Sequence, residues 1–360
     1  MLEVLRLGAY QILYMGSVPT YAAVSESVDH AGELAGKGAS GLVNAVLRRV
    51  GDTGDGAELF PDAESACADY LASWGSHPSW LIDRWLARWP CSAVEALVTA
   101  NNTQRALYLV PLEQSVPEAV KRLAEAGIEG TEVDFGTGCV EVEAGLSPLA
   151  ALEALPRSIV QDPAARLVSK YADVPAGTKV ADLCAAPGGK ALAVAGRASF
   201  ILAADRSESR MRMIRENMDR TGQRLGCVVA DARHPPITSA EVVLLDVPCT
   251  GTGTFARHPD ARWRVTPASV QELAQLQREL LRDARRIVAP GGLLVYSTCA
   301  LEPEENEDQV EAFLSEHSDF QMEATDAVQT RFLDGQGRLV VNPHETGFDG
   351  AFAARLRRSA

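Results

Sequence analysis

At 360 residues, with 46% hydrophobic and 23% charged side chains, the chain has the composition of a globular protein and ample length for two or three cored domains. That composition excludes a disordered, collagenous or coiled-coil chain. The 34 Lys+Arg against 48 Asp+Glu leave a net charge of −14, so no polyanion is held by bulk positive charge and any nucleic-acid partner must be gripped locally. Of the basic residues only Lys37, Lys121, Lys170, Lys179 and Lys190 are lysines; the rest are guanidinium groups, suited to phosphate, which keeps RNA or a nucleotide open. No basic region followed by an apolar run opens the chain, and nowhere do about 18 apolar residues follow one another, so a soluble, cytoplasmic protein without a membrane segment is expected. The seven cysteines are odd in number, scattered and never in a Cys-x-x-Cys pair, and are read as free thiols. No His-Glu-x-x-His occurs, so no metal site is expected.

From Leu2 to Val50 the apolar spacing is helical. Leu2, Leu5, Ala9, Ile12 and Leu13 form one stripe, and Leu42, Val43, Val46, Leu47 and Val50 another, with breaks at Gly16–Pro19 and around Gly36–Gly38. Two or three short helices are predicted, followed by an acidic, turn-rich linker at Gly51–Gly56. About fifty residues are marginal for an independent helical core. Residues 57–76 continue as linker, and 77–170 show a mixed pattern. Helices are predicted at Ser79–Trp89, Ser92–Asn101, Val116–Ala126 and Pro148–Leu155, with strands at Ala106–Val110, Thr131–Phe135 and Cys139–Val142. This order suggests a small α+β module of RNA-recognition type. However, residues 61–170 hold 8 basic and 15 acidic side chains, and the aromatic motif of an RNA-reading sheet is missing. From Tyr171 to the end, short apolar strands at Lys179–Leu183, Phe200–Ala204, Cys227–Ala230, Val242–Leu245 and Leu293–Tyr296 alternate with helices such as Glu208–Thr221 and Ala268–Val288. That alternation is the signature of an α/β fold with a doubly wound, Rossmann-like, mostly parallel sheet.

Such sheets bind ligands at the carboxyl ends of their strands, where Asp182, Asp205, Asp231, Asp246 and Cys299 fall. The run Asp182-Leu183-Cys184-Ala185-Ala186-Pro187-Gly188-Gly189-Lys190 leaves the first strand for a helix; its small residues allow close approach of a ligand to backbone N–H groups. It matches neither Gly-x-Gly-x-x-Gly nor a P-loop. Asp205 and Asp231 end the second and third strands, where nucleotide-binding folds hold ribose hydroxyls and an adenine amino group. Each alone reads more readily as a cap or turn residue; together they outline a nucleoside pocket. Cys249, in Leu245-Asp246-Val247-Pro248-Cys249-Thr250-Gly251-Thr252-Gly253, and Cys299, after Tyr296-Ser297-Thr298, lie at neighbouring strand ends. Singly they read as buried small hydrophobes; converging on such a pocket they read as a nucleophile and a helper.

On Asp182–Lys190, Leu245–Gly253 with Arg257-His258-Pro259-Asp260-Ala261-Arg262-Trp263, Tyr296–Cys299 with Glu305-Asn306-Glu307, and Asp349–Leu356, the chain resembles the bacterial RNA 5-methylcytosine methyltransferases of the RsmB/Sun type. Leu5–Gln11 and Lys37–Arg49 look like the second half of the NusB-like helical domain that marks the 16S rRNA branch. The resemblance implies four parts: a partial NusB-like piece over 1–56, a linker over 57–76, the α+β module over 77–170 and a methyltransferase domain over 171–360. It implies S-adenosylmethionine as cofactor, held by Cys184, Ala185, Ala186, Pro187, Gly188, Gly189, Lys190, Asp205, Asp231 and Asp246. By the same resemblance Cys299 is the nucleophile that adds to cytosine, Asp246 contacts the base, and Cys249 assists proton removal and release; Cys249 is the alternative nucleophile. Lys190 and Arg262 are further candidates for substrate contact. The substrate implied is 16S rRNA with an unstacked target cytosine, because the ring must be approached from its face; the protein itself is expected to be a monomer.

Arg206, Arg210, Arg212, Arg215, Arg220 and Arg224 offer a local basic strip, or else a solvated helix face. Three positions depart from the family pattern. Tyr108-Leu109-Val110-Pro111 stands where relatives carry Leu-Arg-Val-Asn, Thr250 replaces serine, and Ala351 replaces phenylalanine. The NusB-like stretch is also about half the family's length, so its first helices are expected to be absent. The alternatives are the same chemistry on tRNA and a non-catalytic RNA-binding assembly factor.

Overall fold

The two apolar stripes at the start of the chain fold as three helices, α1 (Leu2–Tyr14), α2 (Thr20–Ala35) and α3 (Lys37–Thr53). The computed structural model describes residues 1–54, 56, 60–143 and 145–360, and the chain divides into two compact units, 1–79 and 80–360. In the first unit Val24, Ala31, Val43 and Leu47 form a small core against Leu5, Ala9 and Ile12. Leu2 and Leu42, assigned to the same stripes, are exposed. Pro19 begins α2 and Gly36, at φ 82°, separates α2 from α3. The helix α3 runs three residues into the stretch read as linker, and Gly54 ends it; Asp55 and residues 57–59 of the linker lie outside the described residues. A fourth helix, α4 (Cys67–Ser73), lies within 57–76. Cys139, Cys184, Cys227, Cys249 and Cys299 are free thiols.

The second unit opens with α5 (Ser79–Leu86) and α6 (Cys91–Asn102). Then come β1 (Leu107–Pro111), α7 (Val116–Glu125), β2 (Gly130–Glu132), β3 (Val140–Val142), α8 (Pro148–Ala154) and β4 (Ser158–Val160). A capping box between Ser115 and Glu118 starts α7. The strands form an antiparallel sheet in the order β2-β3-β1-β4, a ferredoxin-like β-α-β-β-α-β arrangement that adds one strand to the α+β order read from sequence. Its fourth strand, only three residues long, carries too little alternation to be read from sequence.

Asp162 caps α9 (Pro163–Tyr171), which leads into β5 (Lys179–Asp182), α10 (Gly189–Val194), β6 (Phe200–Asp205), α11 (Glu208–Thr221), β7 (Gly226–Val229) and β8 (Ala240–Asp246). Next are α12 (Pro267–Ala284), β9 (Val288–Thr298), α13 (Glu307–Glu316), β10 (Phe320–Met322), β11 (Leu339–Val341), α14 (Pro343–Thr346) and β12 (Ala351–Arg358). The sheet order is β10-β12-β9-β8-β5-β6-β7, with β11 paired to β12. From β9 to β7 neighbouring strands are parallel, which is the doubly wound Rossmann-like sheet expected; β12 is antiparallel to β9 and extends it. The helix read as Ala268–Val288 ends at Ala284, and Val288 instead begins an 11-residue strand. One face of the sheet packs Val180, Val242 and Val295 against α9, α10 and α11; the other packs Ala181, Val243 and Leu294 against α12 and α13, as the two-residue strand period requires.

The small module and this sheet belong to one compact unit. Tyr108 of β1 meets Phe348 edge to face with centroids 6.3 Å apart, and Phe135 meets both Phe332 and Phe348. Arg257 donates to the Ala106 carbonyl and to the carboxylates of Asp162 (2.8 Å) and Asp349 (3.0 Å), so the loop after Cys249 is pinned to the base of the module.

Candidate active site

Parallel strands joined by helices present all their carboxyl ends at one edge, and most of the sequence candidates meet there. A cavity of about 480 Å³ is lined by Cys184, Asp205, Asp231, Asp246, Cys249 and Cys299. Ala186 and Pro187 also line it. Ala185, Gly189 and Lys190 border a smaller cavity of about 200 Å³, which shares Cys184 and Asp246 with the first. Gly188 lines neither; its φ of 102° requires glycine, and a Cβ there would sit 3.2 Å from Ile214. This glycine therefore serves the turn and the packing of α11.

Asp205 is 4% exposed, and its two oxygens accept from the backbone amides of Ser207 (2.9 Å) and Ala186 (3.3 Å). It thereby ties the β6 end to the loop after β5. Asp231 is gripped by its near neighbour Arg233, which donates its amide and its guanidinium to both carboxylate oxygens. Those bonds hold the Asp231 carboxyl down to about 2. Asp246 accepts from Ser297 (2.7 Å) on one oxygen and from Lys190 (2.7 Å) on the other. Burial alone lowers the Lys190 ammonium pKa, but the charge and hydrogen bond of Asp246 outweigh it and hold the ammonium above its ordinary value. Lys190 is thus a partner of Asp246 between the two cavities.

Beneath this pair lies Asp182, 1% exposed, with neither carboxylate oxygen in a well-formed hydrogen bond. Burial, then the nearby Asp246 charge, pushes its carboxyl up to about 7. The Cys184 thiol is likewise pushed up by burial, so it stays protonated at neutral pH and lines the cavity as an apolar group.

The sulfurs of Cys249 and Cys299, fifty residues apart in sequence, are 3.2 Å apart. Parallel pairing of β8 with β9 sets Asp246 opposite Ser297, so the loops leaving the two strands run side by side. The Cys299 amide also donates to the Cys249 sulfur (3.4 Å). The hydrogen bond to Cys299, then burial, then the charges of Cys299 and Glu305, push the Cys249 thiol well above its ordinary range. The two sulfurs lie within hydrogen-bond distance of each other, and either can be the donor. Gly253 locks the loops together, donating to the Cys299 carbonyl (3.0 Å) while its own carbonyl accepts from Gly350 (2.7 Å). A Cβ at Gly253 would lie 2.6 Å from Gly350 Cα, so no larger residue fits.

Arg262 is corrected as a substrate contact. It is 3% exposed and donates to Asn102 (2.7 Å) and to the Asn101 carbonyl (3.1 Å), which holds the loop after Cys249 onto α6. Within the basic strip, Arg210 donates to the Ala186 carbonyl and Arg220 to the Pro156 carbonyl, leaving Arg206, Arg212, Arg215 and Arg224 exposed. Arg233, Thr254 and Leu276 also line the larger cavity and were not singled out by sequence. Arg206 of the basic strip and His258 of the Arg257–Trp263 stretch line it with them. Among the described residues no group of three His, Cys, Asp or Glu side chains is placed to hold a metal, and no helix is long and apolar enough to cross a membrane.

Comparison with known proteins matches residues 173–357 to the family of 16S rRNA methyltransferases RsmB/F, a little more than half the chain. The chain belongs to the RsmB/F family. It is an RNA methyltransferase. Residues 1–52 match the NusB family and residues 77–147 the ferredoxin-like domain of RsmF/B-like proteins. The chain is 33% identical over 373 residues to the probable ribosomal RNA small subunit methyltransferase B of Synechocystis sp., covering 99% of this chain and 83% of that one. It is 35% identical over 361 residues to ribosomal RNA small subunit methyltransferase B of Cronobacter sakazakii, covering 97% and 80%. The solved structure of PH0851 superposes with a TM-score of 0.81 at 28% identity, covering 99% of this chain and 81% of that one.

Proposed function

We propose that this RsmB/F-family protein methylates carbon 5 of an unstacked cytosine in 16S rRNA through a covalent bond between Cys299 and the base, using S-adenosylmethionine. The observation that carries this reading is the pair of sulfurs 3.2 Å apart, lining one cavity together with strand-end carboxylates.

The residues present fit the cofactor. Asp205 is a buried acid at the end of the second strand of the sheet, where ribose hydroxyls are held in nucleotide-binding folds; Asp231, Cys184, Ala186, Pro187 and Asp246 border the same space. Ala185, Gly189 and Lys190 support it from the adjoining cavity, and Gly188 shapes the turn. The chemistry S-adenosylmethionine supplies when bound is a sulfonium methyl group, which carbon 5 takes while the sulfur keeps the bonding pair.

Carbon 5 of cytosine is barely nucleophilic, so the protein must first raise its electron density. The Cys299 thiolate forms a bond to carbon 6, and the pair from the C5–C6 double bond moves onto carbon 5 and the ring. Asp246, oriented by Lys190 and Ser297, hydrogen-bonds the ring nitrogen and amino edge and stabilises the adduct. After methyl transfer the carbon-5 proton leaves to water. Its bonding pair restores the C5–C6 double bond, and the C6–S bond breaks with its electrons returning to Cys299. The Cys249 S–H donates to that sulfur as it departs. This geometry supports a role for Cys249 in release more directly than in proton removal, since its sulfur lies 3.2 Å from the Cys299 sulfur that departs. Arg206, Arg212, Arg215 and Arg224 are assigned to the RNA backbone near the cavity.

The test is transfer of labelled methyl from S-adenosylmethionine to unmodified 16S rRNA, with the product nucleoside identified. Formation of 5-methylcytosine is expected, with none from Cys299→Ala and a denaturation-resistant protein–RNA adduct from Cys249→Ala. An adduct from Cys299→Ala would reverse the two roles. Absence of 5-methylcytosine from the wild type would overturn the proposal.

A further inference from the structure

The segment Glu305-Asn306 lies beyond the cavity, yet hydrogen bonds from the residues flanking both cysteines converge on it. On the Cys249 side, the Thr250 amide donates to one Glu305 carboxylate oxygen (2.9 Å) and the Thr250 hydroxyl donates to the other. The Gln277 side-chain amide of α12 divides its two protons between Glu305 (2.8 Å) and the Pro248 carbonyl (2.9 Å). Both residues adjoining Cys249 are thus held by one carboxylate, directly or through Gln277. Tyr296 of β9 donates to the Glu305 carbonyl (2.6 Å), which fixes the carboxylate's own backbone to the strand that leads into Cys299.

On the other side, Thr298 donates its hydroxyl to Asn306, and Asn306 donates to the Ala300 carbonyl (2.9 Å). Those are the two residues adjoining Cys299. Asn306 occupies the N-cap position of α13, where an asparagine ordinarily accepts from its own helix, yet its side chain makes no capping bond. Its side chain holds the cysteine loop instead. Glu305, Gln277, Thr298 and Asn306 are all buried, in a setting where each such bond is worth more than at a wet surface.

From this arrangement we infer that Glu305 and Asn306 are positioning residues that set the two sulfurs against each other, Glu305 holding the Cys249 loop and Asn306 the Cys299 loop. The inference rests on the two-cysteine reading above. It divides the reaction between neighbouring residues: loosening Asn306 impairs attack by Cys299, and loosening Glu305 impairs release through Cys249. The charge of Glu305 works in the same direction, since it helps keep the Cys249 proton in place. With Glu305 removed, the loops stay joined by the Gly253 amide on the Cys299 carbonyl (3.0 Å) and the Leu301 amide on Thr252 (2.8 Å), so the change is confined to the Pro248–Thr250 turn.

The experiment quantifies turnover and denaturation-resistant protein–RNA adduct for the full chain with S-adenosylmethionine and 16S rRNA, in Glu305→Ala, Glu305→Gln, Thr250→Val and Asn306→Ala beside Cys249→Ala, with a thermal melt of each. Glu305→Ala is expected to accumulate adduct and lose turnover about tenfold or more, and Thr250→Val to do so more weakly. Glu305→Gln keeps the acceptor for the Thr250 and Gln277 amides and should bring release back to within about threefold of wild type. Asn306→Ala should lose both turnover and adduct, and Asn306→Ala combined with Cys249→Ala should yield no adduct. If Glu305→Ala folds but turns over normally, or loses turnover without adduct while Cys249→Ala accumulates it, the positioning role is wrong and the two-cysteine reading stands. If Glu305→Ala does not fold, Thr250→Val decides in the same way. If Cys249→Ala itself gives no adduct, the reading falls and the inference with it.

Discussion

Replacing Asp182 with asparagine should flatten part of the pH dependence of stability. Its carboxyl is pushed up to about 7 by burial and by the Asp246 charge, against about 3.9 in an unfolded chain. The folded state therefore binds a proton that the unfolded state has already lost. The associated stability is fully present below the unfolded value and disappears as pH rises through the folded one. Proton linkage between these two values gives about 2–3 kcal/mol lost between about pH 5 and about pH 8. Because the side chain is 1% exposed, solvent screening takes little from that figure. Asp349 is also pushed up to about 7, by burial and then by Asp162, so the wild type alone does not isolate Asp182. The difference between wild type and Asp182→Asn does. Urea denaturation of both proteins at the two pH values should show the variant losing about 2–3 kcal/mol less, or about 5–10 °C less in melting temperature. Equal losses in the two proteins would mean that Asp182 is ionised in the folded state, and the assignment of a protonated acid beneath the Lys190–Asp246 pair would fail.

Arg257→Met leaves Asp162 and Asp349 facing each other without their shared cation, at an expected cost of about 3–5 kcal/mol in urea denaturation; a loss under about 1 kcal/mol would show that the pair is solvated. Gly253→Ala drives a Cβ to 2.6 Å from Gly350 Cα and 2.7 Å from the Cys299 carbonyl. It should cost about 1–3 kcal/mol and abolish methyl transfer, and wild-type activity in a folded variant would refute the tight packing of the two loops. Arg212→Ala and Arg215→Ala should each lower the salt dependence of RNA binding by about 0.7 in logarithmic slope, whereas buried Arg262→Ala should lower stability and leave the slope alone. The opposite pattern in a filter-binding titration would return Arg262 to the RNA-contacting surface.

Much of the architecture was legible because its signals are local. The 3.6-residue stripes of α1 and α3, the glycine and proline breaks between them, and the short apolar strands β5 to β9 depend on a handful of neighbouring residues, as does the capping box of α7. The acids at successive strand ends could likewise be picked out, since position along a parallel strand fixes which edge of the sheet they reach. The grip of Arg233 on Asp231 lay two residues away and was legible in principle, but nothing in the spacing distinguishes it from an ordinary turn. Strands β10, β11 and β12 went unread because the two shortest carry three residues each and the third, with Arg355 buried and Arg357 and Arg358 half-buried, shows no clean two-residue alternation.

The amino-acid sequence by itself determined the element types, the doubly wound sheet and the inventory of acids and thiols, because those follow from periodicity and turn chemistry within short windows. Tertiary structure alone decided which of them meet. Cys249 and Cys299 touch because β8 and β9 are neighbours in the sheet; Arg262 is buried because its loop closes on α6; Glu305 and Asn306 reach both cysteine loops because the chain turns back beneath them. Strand order and loop closure arise from contacts between residues far apart in the chain, and no local pattern encodes those distances.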